Sequence, residues 1–288
     1  MPLPDIIIDT IRRQGPMSFK DFMEMALYYP GEGYYASSGD RVGEGGDFYT
    51  SPYLTRLFGE MIAGQLEEMW GCLDRGPFVV VEYGAGTGLL CRDVLTRLRE
   101  NPPLYGQLQY VIIEKSPWMR KKEKELLAAE GLLDKIRWES SVHALGPVTG
   151  VVLSNELVDN FSVHQVVMED ELMEVFVGYE DGFFEILRPA GEALKEYLAE
   201  LQVKLPRGFR TEINLEATEW ILEVSAAMKK GFVITIDYGN SSSGLYGQSA
   251  GEGTLVCYHR HTVNHSPYQW IGQQDITSHV NFSALELW

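Results

Sequence analysis

The chain has 288 residues, 45% of them hydrophobic, enough to bury a sizeable core in one large α/β domain or in one domain with insertions. Lys plus Arg number 24 against 41 Asp plus Glu, a formal charge of −17, so a phosphate-tracking surface is not favoured and nucleic acid is not an expected partner. Cys72, Cys91 and Cys257 are far apart and show no C-x-x-C spacing, which suggests neither a disulfide framework nor a metal site.

Asp5 to Gln14 carries Ile6, Ile7, Ile8 and Ile11 and reads as a short helix stopped by Gly15-Pro16. Ser18 opens a second helix. With Asp21 it resembles a capping box, and Phe19, Phe22, Met23, Ala26 and Leu27 supply the buried stripe up to Tyr29-Pro30. The opening MPLPDIIIDTIRRQGPMSF has no basic leader region, and no apolar run in the chain reaches membrane-spanning length, so the expectation is a soluble cytoplasmic protein. Residues 31–46 are dense in glycine but also aromatic, which predicts an ordered loop rather than a linker. Ser51-Pro52 then starts a long helix with Leu54, Leu57, Phe58, Met61, Ile62 and Leu66 at helical spacing. Gly46, Asp47, Thr50 and Ser51 put small and polar groups at that helix start, where they are candidates for a lid over a bound zwitterion. A decorative helical cap is the alternative.

Phe78 to Arg92, FVVVEYGAGTGLLCR, is a short apolar run, a glycine turn and the start of a helix. Gly84, Gly86 and Gly88 let the backbone turn tightly and approach a ligand where a Cβ would collide. A dinucleotide fingerprint requires G-x-G-x-x-G, yet Leu89 holds the third glycine position, and Glu82 just before the turn would repel a diphosphate and attract a cation. The pattern E-x-G-x-G-x-G resembles motif I of the class I methyltransferases, whose ligand S-adenosylmethionine carries an ammonium and a sulfonium. A glycine turn in an ordinary βα unit has the same composition.

Gln109 to Glu114 predicts a second strand, and an acidic residue at its carboxyl end, Glu114, is placed to accept from both ribose hydroxyls of a ligand lying across the strand ends. Trp118 to Ala129, with its RKKEKE run, reads as a solvated helix face. Lys135 to Glu139 is a third strand, and Ser140 opens the loop where class I enzymes meet the adenine; Gly150 to Leu153 is a fourth. SNELVDNFSVHQ follows it, and Asn155, Glu156 and Asp159 are candidates to hold the nucleophile across the switch-point crevice. A helix N-terminus favours the same residue types. Residues 163–184 alternate with turn chemistry at Glu169-Asp170 and Glu180-Asp181-Gly182, an inserted β-meander. Two helices, 190–203 and 216–229, precede a fifth strand, Gly231 to Asp237, and one clear strand, Thr254 to Tyr258, follows.

The motifs GPMSFKDFM, PGEGYY, GDFYTSP with LFGE, EYGAGTG, SNELVDNFSVH, IDYG, GTLVCYHRH and DITSHVNFSAL stand in one order along nearly the whole chain. In them the chain resembles the MidA-like family of SAM-dependent methyltransferases, which includes a mitochondrial complex I assembly factor that modifies an arginine of a complex I subunit. The resemblance implies a Rossmann-like class I fold: a mostly parallel sheet with helices on both faces, an N-terminal helical cap and lid over residues 1–75, and a core over 76–288 with an insertion at about 163–215. It implies S-adenosylmethionine bound by Glu82, Gly84, Gly86, Gly88 and Glu114 under the GDFYTSP loop, and methylation of a protein arginine, with a respiratory-complex subunit as one candidate partner. Glu156, with Asp159 and Asn155, would then face the guanidinium. Tyr53 and Ser162 depart from the family's usual carboxylate and proline. The residues after Asp237 supply one clear strand where class I cores add an antiparallel pair, which reads as a shortened ending at Trp288. Alternative readings are an assembly chaperone that binds a partner without turnover and a small-molecule methyltransferase.

Overall fold

The computed structural model describes residues 1–37, 39, 51–247 and 251–288, apart from the side chain of Ser51. The chain packs as two compact units: Met1–Gly39 with Val158–Ile221 and Asp237–Trp288, and Leu222–Ile236 with the described part of Asp40–Leu157. Among the described residues no helix is long and apolar enough to cross a membrane.

The second unit is built on a five-stranded parallel sheet. Its core strands in chain order are Phe78–Tyr83, Leu108–Ile113, Ile136–Glu139, Val148–Asn155 and Met228–Ile236. In space the fifth lies beside the fourth, then come the first, second and third, so the first strand is central and the strand order reverses between it and the fourth. That reversal is the topological switch point, where the carboxyl ends of doubly wound sheets take their ligands. The apolar runs predict these strands because both faces are buried: on one, Val80, Tyr110, Ile112, Val151 and Leu153 form a cluster with Leu66, Val94, Leu95, Leu98 and Leu127 from the helices Arg56–Cys72, Leu89–Leu98 and Pro117–Ala129, and on the other Val81, Val111 and Val152 are fully buried.

The long helix expected from Ser51 is divided. Ser51–Leu54 is one short helix, and Thr55, in an extended conformation, caps Arg56–Cys72 by accepting from Leu57 N at 3.2 Å. Asn101-Pro102-Pro103 also starts a helix, Pro102–Gln107, because Asn101 Oδ1 accepts from Leu104 N and prolines at the first turn need no N–H partner.

The first unit contains the helices Leu3–Gln14 and Phe19–Tyr28, the second capped by Ser18, which accepts from Asp21 N and donates to Asp21 Oδ2. The meander His164–Met168, Leu172–Tyr179 and Phe183–Pro189 turns where the sequence predicts. It belongs to a separate antiparallel sheet: Met17–Ser18 pairs with Val177 and Phe176, and Arg210–Ile213 pairs with His164–Val167. After Asp237 the sequence shows one clear strand, whereas the described residues there form five short ones, Gly239–Asn240, Val256–His259, Thr262–Asn264, Asp275–Thr277 and Val280–Asn281. Segments of two to four residues carry no readable period.

Two glycines set the sheet spacing. Gly150 and Gly231 are register partners at φ 154° and 159°, and a Cβ at Gly150 would lie 1.8 Å from the Val79 carbonyl oxygen. Gly150→Ala must push the first and fourth core strands apart. It is expected to cost about 3 kcal/mol or more by urea unfolding, a value in the range of backbone clashes in a core; a loss under about 1 kcal/mol would contradict this packing.

Candidate functional site

The turn after Tyr83 is made by three glycines in the left-handed region, Gly84 at φ 64°, Gly86 at 57° and Gly88 at 83°. Gly84 N donates to Ile113 O at 2.9 Å, which ties the turn to the end of the second core strand. A Cβ at Gly86 would meet nothing within 4 Å among the described residues, and Gly88 heads the helix Leu89–Leu98, whose first N–H groups face the carboxyl edge of the sheet. The turn thus presents a backbone cradle with room in front of it.

Carboxyl groups surround that cradle. Glu82 is 2% exposed and accepts from Tyr110 Oη at 2.8 Å. Burial pushes its carboxyl up to about 7, opposed by the Tyr110 hydrogen bond and assisted by the charge of Glu114. Glu114 stands just past the second core strand, half-buried, and accepts from Ser116 N at 2.6 Å; burial raises its carboxyl, against the Ser116 bond and the Arg120 charge. Arg120 Nη2 donates to the carbonyls of Glu114 at 3.0 Å and Glu139 at 3.3 Å, clamping the ends of the second and third core strands. Ser140 is exposed at the end of the third core strand.

Across the switch point, Asn155 ends the fourth core strand and Glu156 follows at φ 49°, a conformation a non-glycine residue adopts only where its surroundings impose it. Its N–H donates to Ile236 O at 2.8 Å, and Asn155 Nδ2 donates to Glu156 Oε1 at 3.4 Å. Ser154 Oγ and Asn155 Oδ1 are buried without a partner among the described residues. Such atoms are costly unless a ligand satisfies them.

One unit therefore brings together Glu82, Gly84, Gly86, Gly88, Glu114, Ser140, Asn155 and Glu156 on a single sheet edge. Asp159 belongs to the other unit, in the 3-10 turn Val158–Asn160: its Oδ1 accepts from Asn160 Nδ2 at 2.8 Å and its carbonyl from Ser278 N at 3.0 Å. Asn160 is in turn held by Tyr28 Oη on its carbonyl and Tyr35 Oη on Oδ1. Gly46, Asp47 and Thr50, the residues predicted for a lid, lie outside the described residues, and Ser51 begins the short helix Ser51–Leu54.

The charged run on Pro117–Ala129, read as a solvated face, holds one exception. Glu123 is fully buried against the underside of the turn. Its signal was in the spacing, since Met119, Glu123 and Leu127 share one helical stripe.

The arrangement is the class I methyltransferase fold with its cofactor edge intact: an open glycine cradle, an acidic residue before it, another after the second core strand and orphaned polar atoms at the switch point. These residues fit S-adenosylmethionine, whose ammonium and sulfonium suit carboxyl groups and which brings no phosphate. The chain belongs to the MidA-like family of SAM-dependent methyltransferases: residues 61–288 match the family described as "Putative S-adenosyl-L-methionine-dependent methyltransferase". The crystal structure of a COG1565 superfamily member from Burkholderia thailandensis bound to S-adenosyl-homocysteine is 31% identical and superposes with a TM-score of 0.89 over 98% of this chain and 74% of that one. Similar curated proteins are a protein arginine methyltransferase NDUFAF7 homolog, mitochondrial, of Drosophila melanogaster, 26% identical over 94% of this chain, and the Homo sapiens protein arginine methyltransferase NDUFAF7, mitochondrial, 25% identical over 96%. The chain spans 66% of the length of each.

The buried Glu82 carboxyl fixes a pH dependence. Its ordinary value is 4.5 and its folded value about 7, so its contribution to stability is complete below about 4.5 and is lost as the pH rises to about 7. Glu82→Gln keeps an acceptor for Tyr110 and removes the ionisation. Relative to wild type, the variant is expected to gain on the order of 3 kcal/mol between pH 4.5 and pH 8 in urea unfolding; a difference that stays constant with pH would contradict the assignment.

Proposed function

We propose that the chain is a SAM-dependent methyltransferase acting on an arginine side chain of a protein substrate. The observation that carries this reading is Glu156, an acidic residue held in the left-handed region at the carboxyl end of the fourth core strand beside the orphaned Asn155 Oδ1. Backbone strain persists where a side chain must be aimed. The names of the curated relatives support arginine as the acceptor.

A guanidinium is protonated at every physiological pH, and its lone pairs are delocalised, so it is a poor nucleophile until its charge is localised. Glu156 meets two guanidinium N–H groups as a bidentate carboxylate. Charge then concentrates on the paired nitrogens and the third nitrogen is free to attack, with Asn155 Oδ1 as a further acceptor for its N–H. The bound cofactor supplies an electrophilic methyl on its sulfonium. Glu114 holds the ribose, the glycine cradle admits the amino acid portion and Glu82 supplies negative potential beneath it. The attacking nitrogen gives up one proton to solvent as it gains the methyl and the sulfur keeps the electron pair of the broken bond, so the product guanidinium keeps a single positive charge. The chain's charge of −17 favours encounter with a cationic substrate.

Glu156→Gln is expected to bind S-adenosylmethionine within about threefold of wild type while transfer of labelled methyl to lysate proteins falls by 10²–10³-fold, the scale of a lost charge-positioning group. Hydrolysis of the labelled protein should release methylarginine. Label on another side chain or on small molecules, or wild-type transfer by the variant, would overturn the reading.

A further inference from the structure

Glu123 has no part in the chemistry above, yet it packs against the last glycine of the turn. A Cβ built on Gly88 would lie 3.4 Å from Glu123 Cα and 3.6 Å from its Cβ and Cγ, so the residue packs directly beneath the glycine turn. It is fully buried. Oε2 accepts from Trp138 Nε1 at 2.6 Å, and Oε1 has no hydrogen-bond partner among the described residues. A helix that exposes Lys121, Lys124 and Glu125 has buried the Glu123 carboxyl and left one of its oxygens without a hydrogen-bond partner among the described residues, which is costly unless the group serves the ligand above it.

The groups that act on Glu123 come from several elements: Glu82 on the first core strand, Glu114 just past the second, Trp138 on the third, Cys91 on Leu89–Leu98 and Arg120 on its own helix, with Tyr110 bonded to Glu82 beside them. Glu123 is pushed up to about 8, by burial first and then by the charges of Glu114 and Glu82, against the Trp138 hydrogen bond and the Arg120 charge. Burial keeps the Cys91 thiol and the Tyr110 phenol neutral, so the carboxyls alone change charge there near neutral pH.

We propose that Glu123 is a specificity-determining residue of the cofactor site: with Glu82 and Glu114 it forms a carboxyl shell around the glycine turn that selects the cationic methyl donor over its uncharged thioether product. S-adenosylmethionine and S-adenosylhomocysteine share adenosine, ammonium and carboxylate and differ by one methyl and one positive charge on sulfur. The ratio of their affinities therefore reports the potential at the sulfur and cancels the rest. A buried carboxylate stabilises the sulfonium with little screening and does nothing for the thioether. By linkage, binding the donor drives Glu123 towards its ionised form and releases a proton to solvent. Loss of the sulfonium charge on methyl transfer lets the proton return and weakens the hold on product.

Calorimetric titration of the full chain with each ligand from pH 6 to 9, in buffers of different ionisation enthalpy, tests this. The donor-to-product affinity ratio of the wild type is expected to rise on the order of tenfold, the effect of one unit charge acting across about a helix diameter at intermediate dielectric. Proton release should accompany the donor and not the product. Glu123→Gln retains an acceptor for Trp138 and should flatten most of the rise, leaving the share owed to Glu82. Trp138→Phe removes the bond that favours the carboxylate and should move the midpoint of the rise to higher pH, which decides the matter if the Gln variant fails to fold. A ratio flat with pH in the wild type, an unchanged slope in Glu123→Gln or an unmoved midpoint in Trp138→Phe overturns the proposal. The measurement reads cofactor binding alone, so it stands or falls separately from arginine as the acceptor.

Discussion

The structure of the second unit depends on one backbone reversal. After Tyr83 the chain must leave the central strand of a parallel sheet, turn within a few residues and enter a helix that covers the same sheet. Three left-handed glycines achieve it. The consequence is chemical as well as architectural. The reversal aims the first N–H groups of Leu89–Leu98 at the strand ends, leaves Gly86 uncovered by any described residue and seats Gly88 on the helix Pro117–Ala129. A side chain at Gly84 would already press on Leu157, at 2.8 Å from its Cδ1. Cradle, neighbouring strand and packed helix are thus fixed by the same turn.

The second constraint is electrostatic. A buried carboxyl is expensive, and this edge holds Glu82 and Glu123 where burial pushes both towards neutrality, with Glu114 close enough to be felt by each. Polar partners are few: Tyr110 for one, Trp138 for another, the Ser116 N–H for the third. Such a set weakens the unliganded fold and strengthens with a cation in the cradle. A sheet edge that accepts this cost beside an open glycine turn suits a cationic ligand.

Much of this was legible in the sequence, for reasons that differ by residue. Short apolar runs gave the core strands because strands buried on both faces have few other compositions, and the placement of Glu82 against the three glycines separated a cationic ligand from a dinucleotide. Glu114 was readable because an acidic residue closing a strand lies by construction at the carboxyl edge. The break at Thr55 was hidden by a helical stripe that runs through it, and the pairing of Met17–Ser18 with the meander by a strand too short to have a period. The burial of Glu123 was obscured by its charged neighbours, although the stripe with Met119 and Leu127 contained it. The left-handed backbone of Glu156 has no sequence signal at all: a single conformation imposed by tertiary packing leaves no pattern.

The central claim is that the carboxyl edge of the first and second core strands seats S-adenosylmethionine, with the Glu114 carboxylate accepting from the ribose. Calorimetric titration of S-adenosylmethionine into wild type and Glu114→Ala measures this directly. The account predicts saturable binding by the wild type at one site per chain and a loss of roughly 30-fold or more in the variant, the scale of hydrogen bonds to a charged acceptor. Equal affinity in the two proteins, or no binding by a folded wild type, would contradict it.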